Sequence, residues 1–522
     1  MNRLYLPATV VAILALGASV EPVSAQTRSP LFGSLAPGAH GVGFMKREMR
    51  DSTRFDLPKV DSLGRLQTAD RSRRLTVHIW YPAAASGSAR PMTFRDYMFS
   101  HLPDTISEAA RRADEANRRR FFTEFGTVTD SAWSTLRRTP LLATRNAAPA
   151  TGRYPLVVGQ LRSLSTTLTN EYLASHGYVI AMVDGVSPDI PDPGAGLEIA
   201  LRDMEFVVPA IRKLPFVDPG KLAALGFSGS GFSQILFAMR HPDVDAVSDL
   251  ESAIFDDGVF WPLSGGWGYS VTAMRAPFLH MYSVPLSKRE NRFREFEAMR
   301  YSNRHHYLVD APGIHHWDFA TEGMAASTVL DMRGANATRL RQAFETTNRY
   351  LLAFFNGYVK HDAAELAFLR RDPAANGAPA GLATIRELPA VEPAPTVQAF
   401  QEMIVAQGAQ AALTTFDAAR TRDPEAALFQ EARLNQVAYR LLRSDRRSDA
   451  IVVFRKILEL YPGSSNAHDS LAEALEAAGD KAEAVSVTRK GLEVLEREQL
   501  PDARRQQIRE VLEGRLRRLA AP

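Results

Sequence analysis

The stretch Lys221–Gln234 reads K-L-A-A-L-G-F-S-G-S-G-F-S-Q, and at its centre Ser228 has the surroundings of a nucleophile. The apolar run Leu222–Leu225 predicts a buried strand, and Phe232, Ile235, Leu236 and Met239 recur at helical spacing, so the serine falls on a strand-to-helix turn. A side chain there is lifted above the sheet edge, and flanking glycines let the backbone bend sharply. The general pattern is G-x-S-x-G. Gly226 and Ser228 meet it, but Ser230 takes the last place and Gly231 follows one residue late.

A serine hydroxyl attacks poorly near neutral pH unless an imidazole takes its proton and a carboxylate orients that imidazole. On a sheet of this kind both partners follow the serine in the chain, acid first. The adjacent His315 and His316, in G-I-H-H-W-D-F after the last predicted strand, stand on a loop able to reach back over the sheet edge. His241, His280, His305 and His306 fall in or beside predicted elements and read as structural. The segment 283–289 holds no carboxylate, whereas the strand Ala246–Leu250 runs through Asp249 into Glu251, so the acid is expected to be one of those two.

These groups need a scaffold. From Tyr154 the pattern alternates strand and helix: strands at Leu156–Val158, Tyr178–Val183, the Ser228 strand, Ala246–Leu250, Pro277–Tyr282 and His306–Val309, with helices between them. The expected fold is α/β, a mainly parallel sheet with helices on both faces, and ligands sit beyond the carboxyl ends of such strands. Residues 93–139 interrupt the pattern with charged helical sequence and form an insertion that could serve as a lid. Residues 371–397 are rich in Ala, Pro and Gly and are expected to be a linker that ends a first domain spanning 28–370. Beyond it, Ala438 and Ala472, Ala450 and Ala484, Arg455 and Arg489, and Leu458 and Leu492 are each 34 residues apart. That is the period of tetratricopeptide repeats, here expected over 398–522 as an all-α region that could bind a protein partner or mediate self-association.

The chain has 522 residues, 45% of them hydrophobic and 23% charged, with a formal net charge of +3, which is the composition of a soluble globular protein of more than one domain. No nucleic-acid motif accompanies that charge. There are no cysteines, so disulfides, thiolate catalysis and cysteine-ligated metals are excluded, and no H-E-x-x-H motif or cofactor fingerprint is present. Arg3, the apolar stretch Leu4–Val20 and the small residues before Gln26 form an export signal over residues 1–25, with cleavage expected after Ala25. The mature chain is therefore expected to be secreted or periplasmic, with no integral membrane span.

Five segments carry a resemblance: I-W-Y-P at Ile79–Pro82, Y-P-L-V-V at Tyr154–Val158, L-A-S-H-G-Y at Leu173–Tyr178, V-D at Val217–Asp218, and L-E-S-A-I-F at Leu250–Phe255. Together they resemble the platelet-activating-factor acetylhydrolase and dienelactone-hydrolase-like branch of the α/β-hydrolases. The resemblance implies a serine hydrolase cleaving a small carboxylic ester without a cofactor or metal. It places the nucleophile at Ser228, the base at His316 and the acid at Glu251, leaving His315 and Asp249 as alternatives. One oxyanion donor is then the Gly229 amide, and the second lies within Leu161–Ser163, assigned to Arg162. Phe227 stands where the family has histidine, and Ser230, in place of a glycine, is expected to crowd the turn. The contrasting expectation is a weakly active or non-catalytic scaffold whose repeats mediate protein–protein interaction.

Overall fold

Strand β6 (Val217–Phe227) is buried along its whole second half because it is covered on both faces. Leu222 and Ala224 face one apolar cluster together with Leu156, Val158, Val207, Ile235 and Leu236. Ala223, Leu225 and Phe227 face another, with Val157, Leu173, Leu351 and Phe354. Burial on both faces produces the near-continuous apolar runs typical of parallel sheets. The computed structural model describes residues 29–55, 70–84, 90–102, 105–161, 165–184, 193–257, 265–289 and 293–520. The export signal expected over 1–25 lies outside them.

Among the described residues the sheet has ten strands in the order β10-β9-β8-β7-β6-β4-β5-β2-β1-β3. They are β1 (Gly41–Phe55), β2 (Ser72–Ala83), β3 (Ala143–Arg145), β4 (Tyr154–Leu161), β5 (Val179–Asp184), β6, β7 (Ala246–Leu250), β8 (Phe278–Ser283), β9 (Arg304–Val309) and β10 (Ala383–Leu388). Pairing from β5 through β4, β6, β7 and β8 to β9 is parallel. Strand β2 runs antiparallel to β1 and β5, and β10 antiparallel to β9. This is the strand order of the α/β-hydrolase fold. The chain leaves β4 for β5 on one side and later places β6 on the other, so the crevice beside Ser228 is a topological switch point.

The insertion consists of α1 (Phe94–Met98), α2 (Glu108–Phe122) and α3 (Asp130–Arg138). After it come α4 (Thr167–Ser175), α5 (Pro193–Ile211), α6 (Ser230–Arg240), α7 (Val284–Ser287), α8 (Phe293–Ala298), α9 (Thr321–Thr328), α10 (Ala337–Val359) and α11 (Ala363–Leu369). The insertion is tied to the core through Glu171 of α4, which is fully buried. Its carboxylate accepts from the Tyr97 hydroxyl (2.6 Å) and from the amides of Leu142 (2.7 Å) and Ala143 (3.1 Å). Burial pushes its pKa up to about 7, against the lowering by these three hydrogen bonds.

The linker expectation needs correction. Residues 373–376 form a 3-10 turn and β10 adds an edge strand to the sheet, so the first compact unit extends to Pro389 and the second begins at Ala390. Composition misled here because Thr384, Ile385 and Leu388 are a short strand signal surrounded by Ala, Pro and Gly.

The second unit is all helix: α12 (Val397–Gln407), α13 (Ala409–Arg422), α14 (Glu431–Arg443), α15 (Arg447–Leu460), α16 (Ser465–Ala478), α17 (Lys481–Leu495) and α18 (Asp502–Ala520). The starts of α14 and α16, at 431 and 465, are 34 apart, as are those of α15 and α17, at 447 and 481. Its core is its own, built on Phe400, Phe416, Val437, Phe454 and Leu471. Helix α18 closes the array with a buried arginine, Arg515, bonded to Asp469 and to Glu476.

Candidate active site

Ser228 follows directly on β6 and lies in the left-handed region, at φ 56°. Its amide donates to the carbonyl of Leu250 at the end of β7 (2.9 Å), and its carbonyl accepts from Gly231 (3.0 Å), so both sides of the turn are pinned. A non-glycine residue pays for this conformation, and such strain persists only where the surroundings enforce it.

Ser230 does not crowd the turn as expected. Its hydroxyl accepts from the Phe227 amide (2.8 Å) and donates to the Phe227 carbonyl (2.7 Å), closing the bend on itself. The demand for glycine falls one residue later. A Cβ at Gly231 would stand 2.1 Å from Ser252 Oγ, and one at Gly226 would stand 2.5 Å from Gly231 Cα, so α6 crosses β6 and β7 too closely for a methyl group. Gly231→Ala and Gly226→Ala are each expected to cost about 1–3 kcal/mol in urea denaturation. Gly463→Ala, with nothing within 4 Å of the added carbon, should change stability little.

Gly229, the N-cap of α6, makes no hydrogen bond through its amide among the described residues. That amide, next to the Ser228 hydroxyl at a helix N-terminus, is available to a developing oxyanion. Arg162, the expected second donor, lies outside the described residues.

Glu251 follows β7, one strand over, also in the left-handed region at φ 52°. It is buried, and its carboxylate accepts from the Ser283 amide (2.7 Å) and the Ser283 hydroxyl (2.5 Å) at the end of β8. A carboxylate from β7 is thus carried to the tip of β8, the segment in which the sequence holds no acid. Asp249 is placed elsewhere. It is fully buried inside the sheet, with both oxygens 2.9 Å from Nδ1 of the equally buried His280.

The loop after β9 carries both histidines. The His316 ring stacks on Phe227, the residue before Ser228, at 4.8 Å between centroids and 29° between planes, and meets the Trp317 ring edge-on at 5.3 Å. Among the described residues the His316 ring makes no hydrogen bond, nor does the Ser228 hydroxyl. Burial first, then the nearby His315 and Arg289, lowers the His316 pKa to about 4, so the ring is neutral and able to accept a proton at pH 7. The phenylalanine that departs from the family pattern is therefore the platform for the imidazole.

His315 faces away. Its Nε2 is bonded by Arg333, and its ring lies 5.3 Å from that of Phe125. Sequence reasoning missed Arg333. Its guanidinium also donates to the Gly313 carbonyl (2.6 Å) and to Asp318 (2.9 Å), which accepts from the His315 amide as well (2.9 Å). One arginine thus ties down the loop on both sides of His316. Nothing in the local sequence flags a residue seventeen positions downstream of His316. The insertion completes the support, with Phe121 edge-on to Trp317 at 4.9 Å and Arg333 stacked over Phe125 at 5.8 Å.

Among the described residues no group of three or more His, Asp or Glu side chains could hold a metal ion, and no helix is long and apolar enough to cross a membrane. The sheet order defines an α/β-hydrolase fold, with Ser228 on the turn between β6 and α6. No protein-family model and no curated protein matches the chain. Among solved structures it is similar to a ferulic acid esterase from Streptomyces cinnamoneus, with 20% identity and a TM-score of 0.45 over 68% of this chain and 98% of that one.

Proposed function

We propose that this chain is a serine hydrolase that cleaves a small carboxylic ester through an acyl-enzyme. The observation that carries the reading is Ser228 itself, held at φ 56° on the turn between β6 and α6, with no hydrogen bond among the described residues to its hydroxyl or from the Gly229 amide beside it. Ser228 Oγ attacks the acyl carbon as His316 takes its proton. The Gly229 amide, with one from Leu161–Ser163 that we assign to Arg162, stabilises the oxyanion, and His316 then protonates the leaving alcohol. Water, deprotonated by His316, releases the acid in the second half. Glu251 is the acid we assign to this set, its hydrogen bond to the imidazole forming when substrate binds. Such hydrogen bonds are often open before substrate binds and tighten in the complex.

A fluorophosphonate should form a covalent adduct on the peptide containing Ser228, read by mass spectrometry. Labelling of the wild type and Ser228→Ala to the same extent would remove the proposal. Arg333→Met should lower turnover of p-nitrophenyl acetate by roughly ten- to a hundredfold through misplacement of His316. Its labelling site should stay at Ser228. Unchanged turnover would show that the loop needs no such anchor.

Residues 1–25, read as an export signal, make the proposed hydrolase secreted or periplasmic. The 34-residue offset of the helix pairs favours a second role for the other unit, as a tetratricopeptide-like surface for a protein partner or a second copy of the chain.

A further inference from the structure

Two donors are assigned to the oxyanion when Ser228 is read as a nucleophile, and they belong to separate elements. One is the Gly229 amide at the start of α6, and the other lies on the backbone that continues from the end of β4 at Leu161. The sheet does not fix the distance between them. The ladder between β4 and β6 ends where Gly159 pairs with Leu225, so close that a Cβ on Gly159 would stand 2.3 Å from the Leu225 carbonyl oxygen. Beyond that pair β6 turns at Ser228 into α6, while β4 runs on along β5 until Leu161 pairs with Asp184.

The first residue of β4 past that ladder is Gln160. It shares a face of the strand with Leu156 and Val158, which lie in one apolar cluster with Ile235 and Leu236 of α6, and it is buried, at 6% exposure. Its Oε1 is 3.2 Å from the hydroxyl of Ser233 on α6, which is buried as well. Ser233 stands one helical turn after Gly229. Its hydroxyl is also 2.8 Å from the Ser230 carbonyl oxygen, so the two acceptors share its one proton. Ser230 in turn closes the bend at Phe227. A hydrogen-bonded path therefore runs from β4 through Gln160, Ser233 and Ser230 to the turn that holds Ser228.

Core packing does not call for a glutamine here. Nε2 of Gln160 is buried without an acceptor, and a buried amide with one end unbonded is less stable than an apolar side chain of the same size. Replacing it would orphan no partner, since Ser233 keeps the Ser230 carbonyl. The cost falls between the two elements that carry the oxyanion donors. We propose that Gln160 is a positioning residue, whose hydrogen bond to Ser233 sets the separation of the Gly229 amide from the donor that follows β4. The inference rests on the reading of Ser228 as the nucleophile.

The test compares Gln160→Met, Ser233→Ala and the double variant with the wild type, all as the full mature chain. For p-nitrophenyl acetate, kcat and kcat/KM should fall together by roughly ten- to a hundredfold in each single variant, as for an interaction made only in the transition state. The double variant should lose no more than the larger single loss, because the two substitutions remove the ends of one bond. Inhibition by a trifluoromethyl ketone should weaken in parallel: Ser228 Oγ adds to its carbonyl carbon, His316 takes the hydroxyl proton and the carbonyl oxygen becomes the oxyanion. The urea midpoint of Gln160→Met should equal or exceed that of the wild type, which a merely structural glutamine would not allow. Unchanged turnover in either single variant, losses that multiply in the double variant, or turnover of Gln160→Met that falls only in step with its urea midpoint would each overturn the assignment. Should Gln160→Met fail to fold, Ser233→Ala decides by the same kinetic criteria. Ser228→Ala separates the two claims. If it retains wild-type turnover, the nucleophile reading falls and this inference with it, whereas an inactive Ser228→Ala beside an unimpaired Gln160→Met removes this inference alone.

Discussion

Ester turnover by Ser228→Ala is expected to fall by about 10,000-fold or more, to the level that binding and oxyanion donors sustain without a nucleophile. The companion expectation concerns stability. Ser228 sits at φ 56°, where a Cβ crowds the adjacent carbonyl and glycine does not. Ser228→Gly should therefore lose the same activity yet gain about 1 kcal/mol of stability. The two readouts together separate a functional serine from one that merely fits a tight turn. If Ser228→Gly unfolds more easily than the wild type, the strain is illusory. If Ser228→Ala still turns over p-nitrophenyl acetate at the wild-type rate, the hydroxyl has no role in the reaction.

Acid should unfold the first unit well before it reaches the usual carboxylate range. Burial holds His78 and His305 down to about 4 and His306 to about 3; Lys46 adds to it beside His78 and Arg386 and Arg304 beside His306, while at His305 Glu387 opposes burial and Arg370 reinforces it. For a base whose folded pKa lies below its unfolded value, the unfolded chain binds the extra proton. The stability is then present above about pH 6.5 and lost as pH falls toward 4. A displacement from 6.5 to about 4 corresponds to about 3 kcal/mol, so the two most buried imbalances alone approach the whole stability of an ordinary domain, about 5–15 kcal/mol. Glu171 and Asp318 oppose them. Burial raises their pKa values to about 7 and about 6, so they favour the folded state increasingly as pH falls. Two carboxylates do not offset three core imidazoles joined by His315 and His316, both also lowered to about 4. Urea denaturation at pH 7.5, 6, 5 and 4.5 should show a steep decline. His78→Gln, which can still donate to the Ser100 carbonyl now bonded by His78 at 2.9 Å, should flatten it by close to one proton. A stability independent of pH across this range would refute the account. The acid limb of any turnover profile should accordingly report unfolding before it reports His316.

Periodicity by itself determined the alternating sheet of the first unit and the 34-residue offset of the second, because burial of strands on both faces and of one helix stripe writes a repeating apolar pattern into the chain. The same local logic located Ser228, since a strand run, a small-residue turn and a helical run are neighbours in sequence. Only the tertiary structure decided what depends on separate segments meeting. It joined β10 to the sheet, because an edge strand is held by its partner β9 more than by its own composition. It sent Asp249 to His280 and the Glu251 carboxylate to Ser283: two acids two residues apart would share one face of a regular strand, and the left-handed backbone at Glu251, just past the end of β7, is what separates them. It turned His315 to Arg333 and His316 to Phe227, and it made Ser230 a brace instead of an obstruction. These are distances between side chains brought together by folding, and no spacing along the chain encodes them.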